Sequence, residues 1–204
     1  MIAPDAFRFL IPLIVLTALS FGMGWIAIGV FLLFLTSFVA FFFRNPPRTI
    51  PKDPSIIVSP ADGKVVKIDR VGNVTKVSIF LSLFNVHVNR SPIAGSIEAL
   101  DYRKGKFKAA YNHAASLENE RNTIMVSDGR IKIVFIQIAG VVARRIVFWK
   151  RVGDRVEKGD LVGLIRFGSR VDILFPAGTE VTVAVGDRVR GGSSPIGVIV
   201  KTNG

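Results

Sequence analysis

The hydrophobic positions follow two regimes that change near residue 44. From Phe9 to Phe43 the chain carries no charge, a run of 35 residues reading FLIPLIVLTALSFGMGWIAIGVFLLFLTSFVAFFF. As one straight helix it would be about 50 Å long at 1.5 Å per residue. A bilayer core is about 30 Å thick and takes about 20 residues. The Gly22-Met23-Gly24 break divides the run into arms near Phe7–Phe21 and Trp25–Phe43. The pattern therefore predicts a helical hairpin, or one full span preceded by a re-entrant arm. A signal peptide fits less well, because the run is too long and no small-x-small cleavage site follows it.

After the anchor comes RNPPRTIPKDP, Arg44–Pro54, with four prolines in eleven residues. Proline blocks helix and favours extended chain, so this is a linker. Beyond it the pattern has the short period of strands rich in Val and Ile, separated by Gly, Asn and Asp turns. Strands are expected at Ile56–Val58, Gly63–Ile68, Lys76–Leu81, Gly95–Asp101, Thr123–Ser127, Ile131–Ala139, Asp172–Phe175 and Val181–Val185. The expected fold is mainly β, a barrel or sandwich over residues 55–204, behind an N-terminal helical membrane anchor at 1–43 and the linker at 44–54.

One segment repeats. VGDRVEKGDLVGLI (Val152–Ile165) returns 33 residues later as VGDRVRGGSSPIGVI (Val185–Ile199), with one residue inserted. SPADGKVVKI (Ser59–Ile68) has a related texture. Two such units facing each other resemble the halves of biotinyl/lipoyl-type barrel-sandwich hybrids. The copies differ after the glycine: Gly159 is followed by Asp160 and Leu161, Gly192 by Ser193 and Ser194. A hairpin needs no serine there, since the first copy turns without one.

The formal charge of +12 lies nearly all after residue 43, and mean hydropathy is +0.45. A basic domain beside an apolar anchor points to anionic lipid headgroups, at about 1 kcal/mol per basic residue near the surface. Nucleic acid is the rival partner for such charge, but no nucleic-acid motif is present and aromatics thin out after Phe43. Arg8, Arg44, Arg48 and Lys52 flank the apolar arms. They set both ends, and the β domain, on the cytoplasmic side. The chain has no cysteine, which excludes a disulfide framework and a thiolate nucleophile.

Two histidines, His87 in SLFNVHVNRSPIAG and His113 in AAYNHAAS, make a poor metal-ligand set, so no metal is expected. Asp62, in the Pro-x-Asp-Gly turn of SPADGK, has the look of a turn former. With Ser193, though, Asp62 and His87 are the residue types of a nucleophile, a base and its orienter. Sequence spacing alone does not bring them together.

SPADGKV, FNVHVNRSP, FGSRVD and GGSS near the C-terminus stand in that order behind an apolar N-terminal segment. In this the chain resembles the short phosphatidylserine decarboxylase proenzymes, over essentially its whole length. The resemblance implies self-cleavage between Gly192 and Ser193, into a β chain (1–192) and an α chain (193–204), with Ser193 becoming a covalent pyruvoyl cofactor. His87 would be the general base and Asp62 its orienter. The pyruvoyl group would form a Schiff base with the serine headgroup and release CO2, giving phosphatidylethanolamine; an archaetidylserine substrate stays open. FGSRVD would line the substrate pocket through Gly168 and Ser169, while Arg166 and Arg170 receive no role. Larger relatives carry a first histidine where Phe84 stands, so a role for that histidine does not transfer. Exposed strand edges allow a dimer of the α–β unit. The alternative is a membrane-anchored barrel-sandwich protein without chemistry, of the transport-adaptor kind, which would remain one uncut chain.

Overall fold

The computed structural model describes residues 1–105, 119–140, 145–166 and 169–200. They divide into two units, Met1–Pro47 and Arg48–Gly204.

In the first unit a 3-10 turn at Pro4–Ala6 leads into α1 (Phe7–Gly22), and α2 (Ile26–Phe42) follows. The chain reverses between them. Ala3 N–H donates to Phe43 O at 2.8 Å and Asn45 N–H to Met1 O at 2.7 Å, so the start of α1 lies beside the end of α2. The hydroxyls of Thr17, Ser20 and Thr36 each donate to the carbonyl four residues back, at 2.7–2.8 Å. That satisfies inside the helix the polar atoms that an apolar surrounding could not. Leu16, Leu19, Phe31, Leu33 and Phe34 are 50–72% exposed. Pro4–Gly22 is long and apolar enough to cross a membrane; α2, at 17 residues, is shorter.

The second unit is mainly β. Its described residues form β1 (Ile56–Val58), β2 (Gly63–Val71), β3 (Val74–Leu81), β4 (Val88–Arg90), β5 (Gly95–Arg103), β6 (Arg121–Ser127), β7 (Lys132–Ala139), β8 (Ile146–Phe148), β9 (Arg155–Val156), β10 (Leu161–Ile165), β11 (Ser169–Phe175), β12 (Thr179–Val181), β13 (Arg188–Val189) and β14 (Pro195–Ile199). One curled sheet has the order β13-β2-β3-β11-β7-β6-β5-β9, and two small ones are β1-β14-β12 and β4-β10-β8. Every pairing is antiparallel.

Alternation builds the core. Val77, Ile79 and Leu81 on β3 and Val171, Ile173 and Phe175 on β11 share one face in register and are at most 1% exposed. Ile133 and Phe135 on β7 and Ile124 and Val126 on β6 continue that face. Each such side chain contributes about 1.5–3 kcal/mol on burial. On the other face of β11, Arg170 and Asp172 stand two residues apart and form a buried ion pair at 2.8 Å.

The repeat folds as a pseudo-two-fold pair. Ile97 N–H donates to Asp154 O at 2.9 Å as Val65 N–H does to Asp187 O at 2.8 Å. Gly153 N–H donates to Ile97 O as Gly186 N–H does to Val65 O, both at 2.8 Å. β10 pairs with β4 as β14 pairs with β1. Ser91 Oγ closes on Ile93 O at 2.7 Å and Ser59 Oγ on Ala61 O at 2.6 Å. The Ser-Pro-x-x-Gly segments at 59–63 and 91–95 are thus two copies of one corner.

The structure lengthens most of the expected strands and adds β4, β8, β9, β10, β13 and β14, which are only two to five residues long. The strand expected at Val181–Val185 stops at Val181. Asp187 is the reason: its carboxylate accepts from Ala184 N–H at 2.9 Å and bends the chain into the repeat's first turn.

Candidate active site

The pseudo-two-fold locates the inserted residue. In the first repeat, Gly159 N–H donates to Ser91 O and Asp160 O accepts from Ser91 N–H, both at 2.9 Å. In the second, Gly192 N–H donates to Ser59 O at 2.8 Å, and the oxygen that accepts from Ser59 N–H, at 2.9 Å, belongs to Ser194. The side chains agree. Asp160 Oδ2 accepts from Glu157 N–H at 2.9 Å, and Ser194 Oγ accepts from Arg190 N–H at 2.9 Å. Asp160 is therefore matched by Ser194, not by Ser193 as direct reading of the two glycines suggests. Ser193 is the extra residue. Ser194 clamps the turn, and Ser193 is what the turn has been opened to hold. The glycine before it has φ +78°, a left-handed conformation that side chains other than glycine adopt at a cost; Gly159 has φ +85°.

Three further residues break the symmetry on the same side. Asp62 has Ala94 as its mate in the other corner. Its Oδ1 accepts from Gly191 N–H at 2.8 Å, and both its oxygens accept from Arg48 Nη2, Oδ2 at 2.8 Å and Oδ1 at 3.0 Å. The side chains of Arg48 and Asp62 are 9% and 12% exposed. Asp62 thus ties Arg48 to the turn. Arg90 has Val58 as its mate, and its Nη1 donates to Gly159 O at 2.8 Å. His87 has Ser55 as its mate, because Ile165 N–H donates to His87 O at 3.2 Å as Ile199 N–H does to Ser55 O at 2.8 Å. Ile50 of the linker packs between the two turns, its Cδ1 standing 3.1 and 2.5 Å from where a Cβ on Gly192 or Gly159 would lie.

Asp62 and the Gly191–Ser194 turn are thus brought together. His87 lies three residues upstream of Arg90, about 10 Å of extended chain at 3.3 Å per residue. It is 2% exposed and stands at the end of β4 that faces the close of β10. Ser169 opens β11, paired with Leu81 and Ala139; it is fully buried, and its hydroxyl has no hydrogen-bond partner among the described residues. A polar chain is buried beneath β4: Asn122 Nδ2 donates to Gln137 Oε1 at 3.1 Å, and Gln137 Nε2 to Asn89 Oδ1 at 2.8 Å. Gly168 and His113 lie outside the described residues. Among the described residues no group of His, Asp and Glu is placed to hold a metal. A cavity of about 870 Å³ lies on the side of the first repeat's turn, lined by Ile50, Lys52, Ile93, Arg130, Glu157 and Lys158.

The profile of the phosphatidylserine decarboxylase family matches residues 35–197. A phosphatidylserine decarboxylase proenzyme of Carboxydothermus hydrogenoformans is 47% identical, over 96% of this chain and 95% of its own. The chain belongs to the phosphatidylserine decarboxylase family. Proteins of the same description from Symbiobacterium thermophilum and Wolbachia pipientis wMel are 44% and 41% identical, over 96% and 98% of this chain and 94% and 91% of theirs. Within this member of the family, sequence reading overlooked Arg48 and Arg90. Arg48 passed for a membrane-flanking charge. Arg90 was visible by setting VSPADG above RSPIAG, a second repeat that the GDRV copies overshadowed.

Proposed function

We propose that the chain is a phosphatidylserine decarboxylase proenzyme that cuts itself between Gly192 and Ser193. The observation that carries this reading is the lone insertion: against an otherwise matching turn, the additional residue is a serine, two residues after the Gly191 N–H that Asp62 holds. The Ser193 hydroxyl attacks the Gly192 carbonyl carbon, the C–N bond breaks, and the nitrogen takes the hydroxyl proton, leaving an ester. A base removes the Ser193 α-proton, the Cβ–O bond breaks, and Gly192 departs as a carboxylate. Water then replaces the nitrogen of the resulting dehydroalanine, releasing ammonia and leaving a pyruvoyl group at residue 193.

His87 is assigned as the base. Asp62 is a positioning residue that holds Gly191, and with it the scissile bond, in the turn. The pyruvoyl group supplies a ketone that acts as the electron sink when the substrate loses its carboxylate. It fits this chain without a separate binding cradle, because it is made from Ser193 and stays tied to β14. Ser169, buried with an unmatched hydroxyl, is assigned to the substrate headgroup together with Gly168. The exposed apolar side chains of α1 and α2 are assigned to the bilayer, with Arg8, Arg44 and Lys52 keeping both ends and the β unit on the cytoplasmic side. The substrate is then a serine phospholipid of that membrane.

Intact-mass measurement of the purified protein tests the reading. Fragments 1–192 and 193–204 are expected, the second beginning with a pyruvoyl group, together with CO2 release from phosphatidylserine in mixed micelles. A single unmodified chain after long incubation would favour a non-catalytic membrane protein instead.

A further inference from the structure

The two-fold repeat serves as an internal control for Arg90. β1 and β4 make matching bonds across the axis: Val58 N–H donates to Pro92 O at 3.0 Å and Arg90 N–H to Pro60 O at 2.9 Å. At this position the fold is content with a fully buried valine on one side. On the other side it carries a half-buried arginine, and that side chain reaches the turn that differs. Arg90 Cδ lies 2.7 Å from where a Cβ on Gly192 would stand, with Gly159 Cα 3.5 Å from the same point. The arginine thus lies against the residue whose carboxyl carbon is transferred. Burial, and after it the charge of Arg48, press the Arg90 pKa down, while Asp62 and Asp160 act in the opposite sense. A cation held at such a cost gains from an added anion.

On the self-cleavage reading, negative charge appears on the Gly192 carboxyl group twice. It appears first as the oxyanion when Ser193 Oγ adds to the carbonyl. It appears again as the carboxylate when the Cβ–O bond breaks. We propose that Arg90 is a catalytic residue of maturation, its guanidinium holding the charge on the Gly192 carboxyl group through both steps and then holding the new chain end. This rests on cleavage at Gly192–Ser193. It adds an electrostatic partner to a base and a nucleophile. Removal of one preorganised oxyanion donor slows comparable reactions by about 100- to 1000-fold.

The test follows maturation of the full chain in detergent by intact mass, for the wild type, Arg90→Lys, Arg90→Gln and Arg90→Leu. Arg90→Gln and Arg90→Leu are expected to cut at least about 100-fold more slowly. Arg90→Lys is expected to keep part of the rate, because it preserves the charge without the fork. Hydroxylamine, which cleaves esters but not this amide, separates the steps. Its failure to release fragments from Arg90→Gln places the loss at the oxyanion. Release of a Gly192 hydroxamate places it at the departing carboxylate. Either result supports the proposal. Melting of each substitution in a Ser193→Ala background separates catalysis from folding, and Arg90→Leu, which mimics the valine side of the axis, is the variant most able to fold. A folded Arg90→Leu that matures at the wild-type rate overturns the proposal, as does one that matures normally and fails only in decarboxylation. If the wild type itself stays uncut, the cleavage reading has failed instead.

Discussion

Gly159 and Gly192 allow one substitution to be made twice in the same surroundings, with only one copy next to the bond proposed to break. Alanine at either site enters a left-handed conformation, φ +85° or +78°, which costs about 1–2 kcal/mol. At Gly159 the new Cβ meets Ile50 Cδ1 at 2.5 Å; at Gly192 it meets Ile50 Cδ1 at 3.1 Å and Arg90 Cδ at 2.7 Å. These are side-chain atoms rather than backbone, the tip of Ile50 and the stem of a long arginine, so they shift at small cost to stability. Both variants, measured by thermal melting in a Ser193→Ala background, should lose about 2 kcal/mol, or about 4–8 °C for a domain of this size. Their maturation rates should part. Gly159→Ala is expected to cut at the wild-type rate. Gly192→Ala strains the reacting residue itself and displaces Arg90; a misplacement of about 1 Å costs about 100-fold, and a loss of that size is expected by intact mass. Equal slowing in both variants would refute the reasoning, because it would mean that turn stability, rather than geometry at Gly192, governs the cut.

Other outcomes follow from the same contacts. Ser194→Ala removes the acceptor for Arg190 N–H and should cost about 1 kcal/mol in melting while still maturing, whereas Ser193→Ala should stay as one chain by mass. Arg48→Leu leaves the Asp62 carboxylate buried without its cation and should destabilise by about 3 kcal/mol; Arg48→Leu with Asp62→Asn should recover much of that in denaturant titration. His87→Gln should block maturation without fragment release, as read on gels over days. Burial pushes the Asp128 carboxyl up, but the Ile131 N–H and the side chain and N–H of Arg130 outweigh it and set the group below its ordinary value. Stability from Asp128 is then present above the unfolded carboxylate value near 4 and lost as pH falls through the lower folded one. The melting gap between wild type and Asp128→Asn should accordingly be widest at neutral pH and close in acid.

Much of this was legible in the chain. The uncharged run and its Gly-Met-Gly break yield the two helices, and Val/Ile alternation yields the long strands of the curled sheet. The short strands were not legible one by one, since two or three residues carry no period; they appear only as parts of the repeat. GGSS was readable as an oddity because GDRV occurs twice, but direct alignment matched the wrong serine to Asp160. Backbone bonding from Ser59 and Ser91 was needed to show which residue is additional. Arg48 could not be read at all. Its pairing with Asp62 bridges 14 residues across a proline-rich linker, and such a contact has no local signature.

Ser59 bonds to both sides of the bond that is proposed to break, through its carbonyl to Gly192 N–H and its N–H to Ser194 O. Beyond it, β14 lies between β1 and β12, both supplied by the larger fragment. On the proposed cleavage the short peptide would remain the middle strand of a sheet and would carry the reactive group at its end. A dissociable coenzyme can be replaced when it is spoiled, but a group woven in this way cannot be exchanged. Each molecule would mature once, and a single chemical injury at residue 193 would retire it. The cell's decarboxylation capacity would then depend on the making of new chains, with no reservoir of cofactor to draw on.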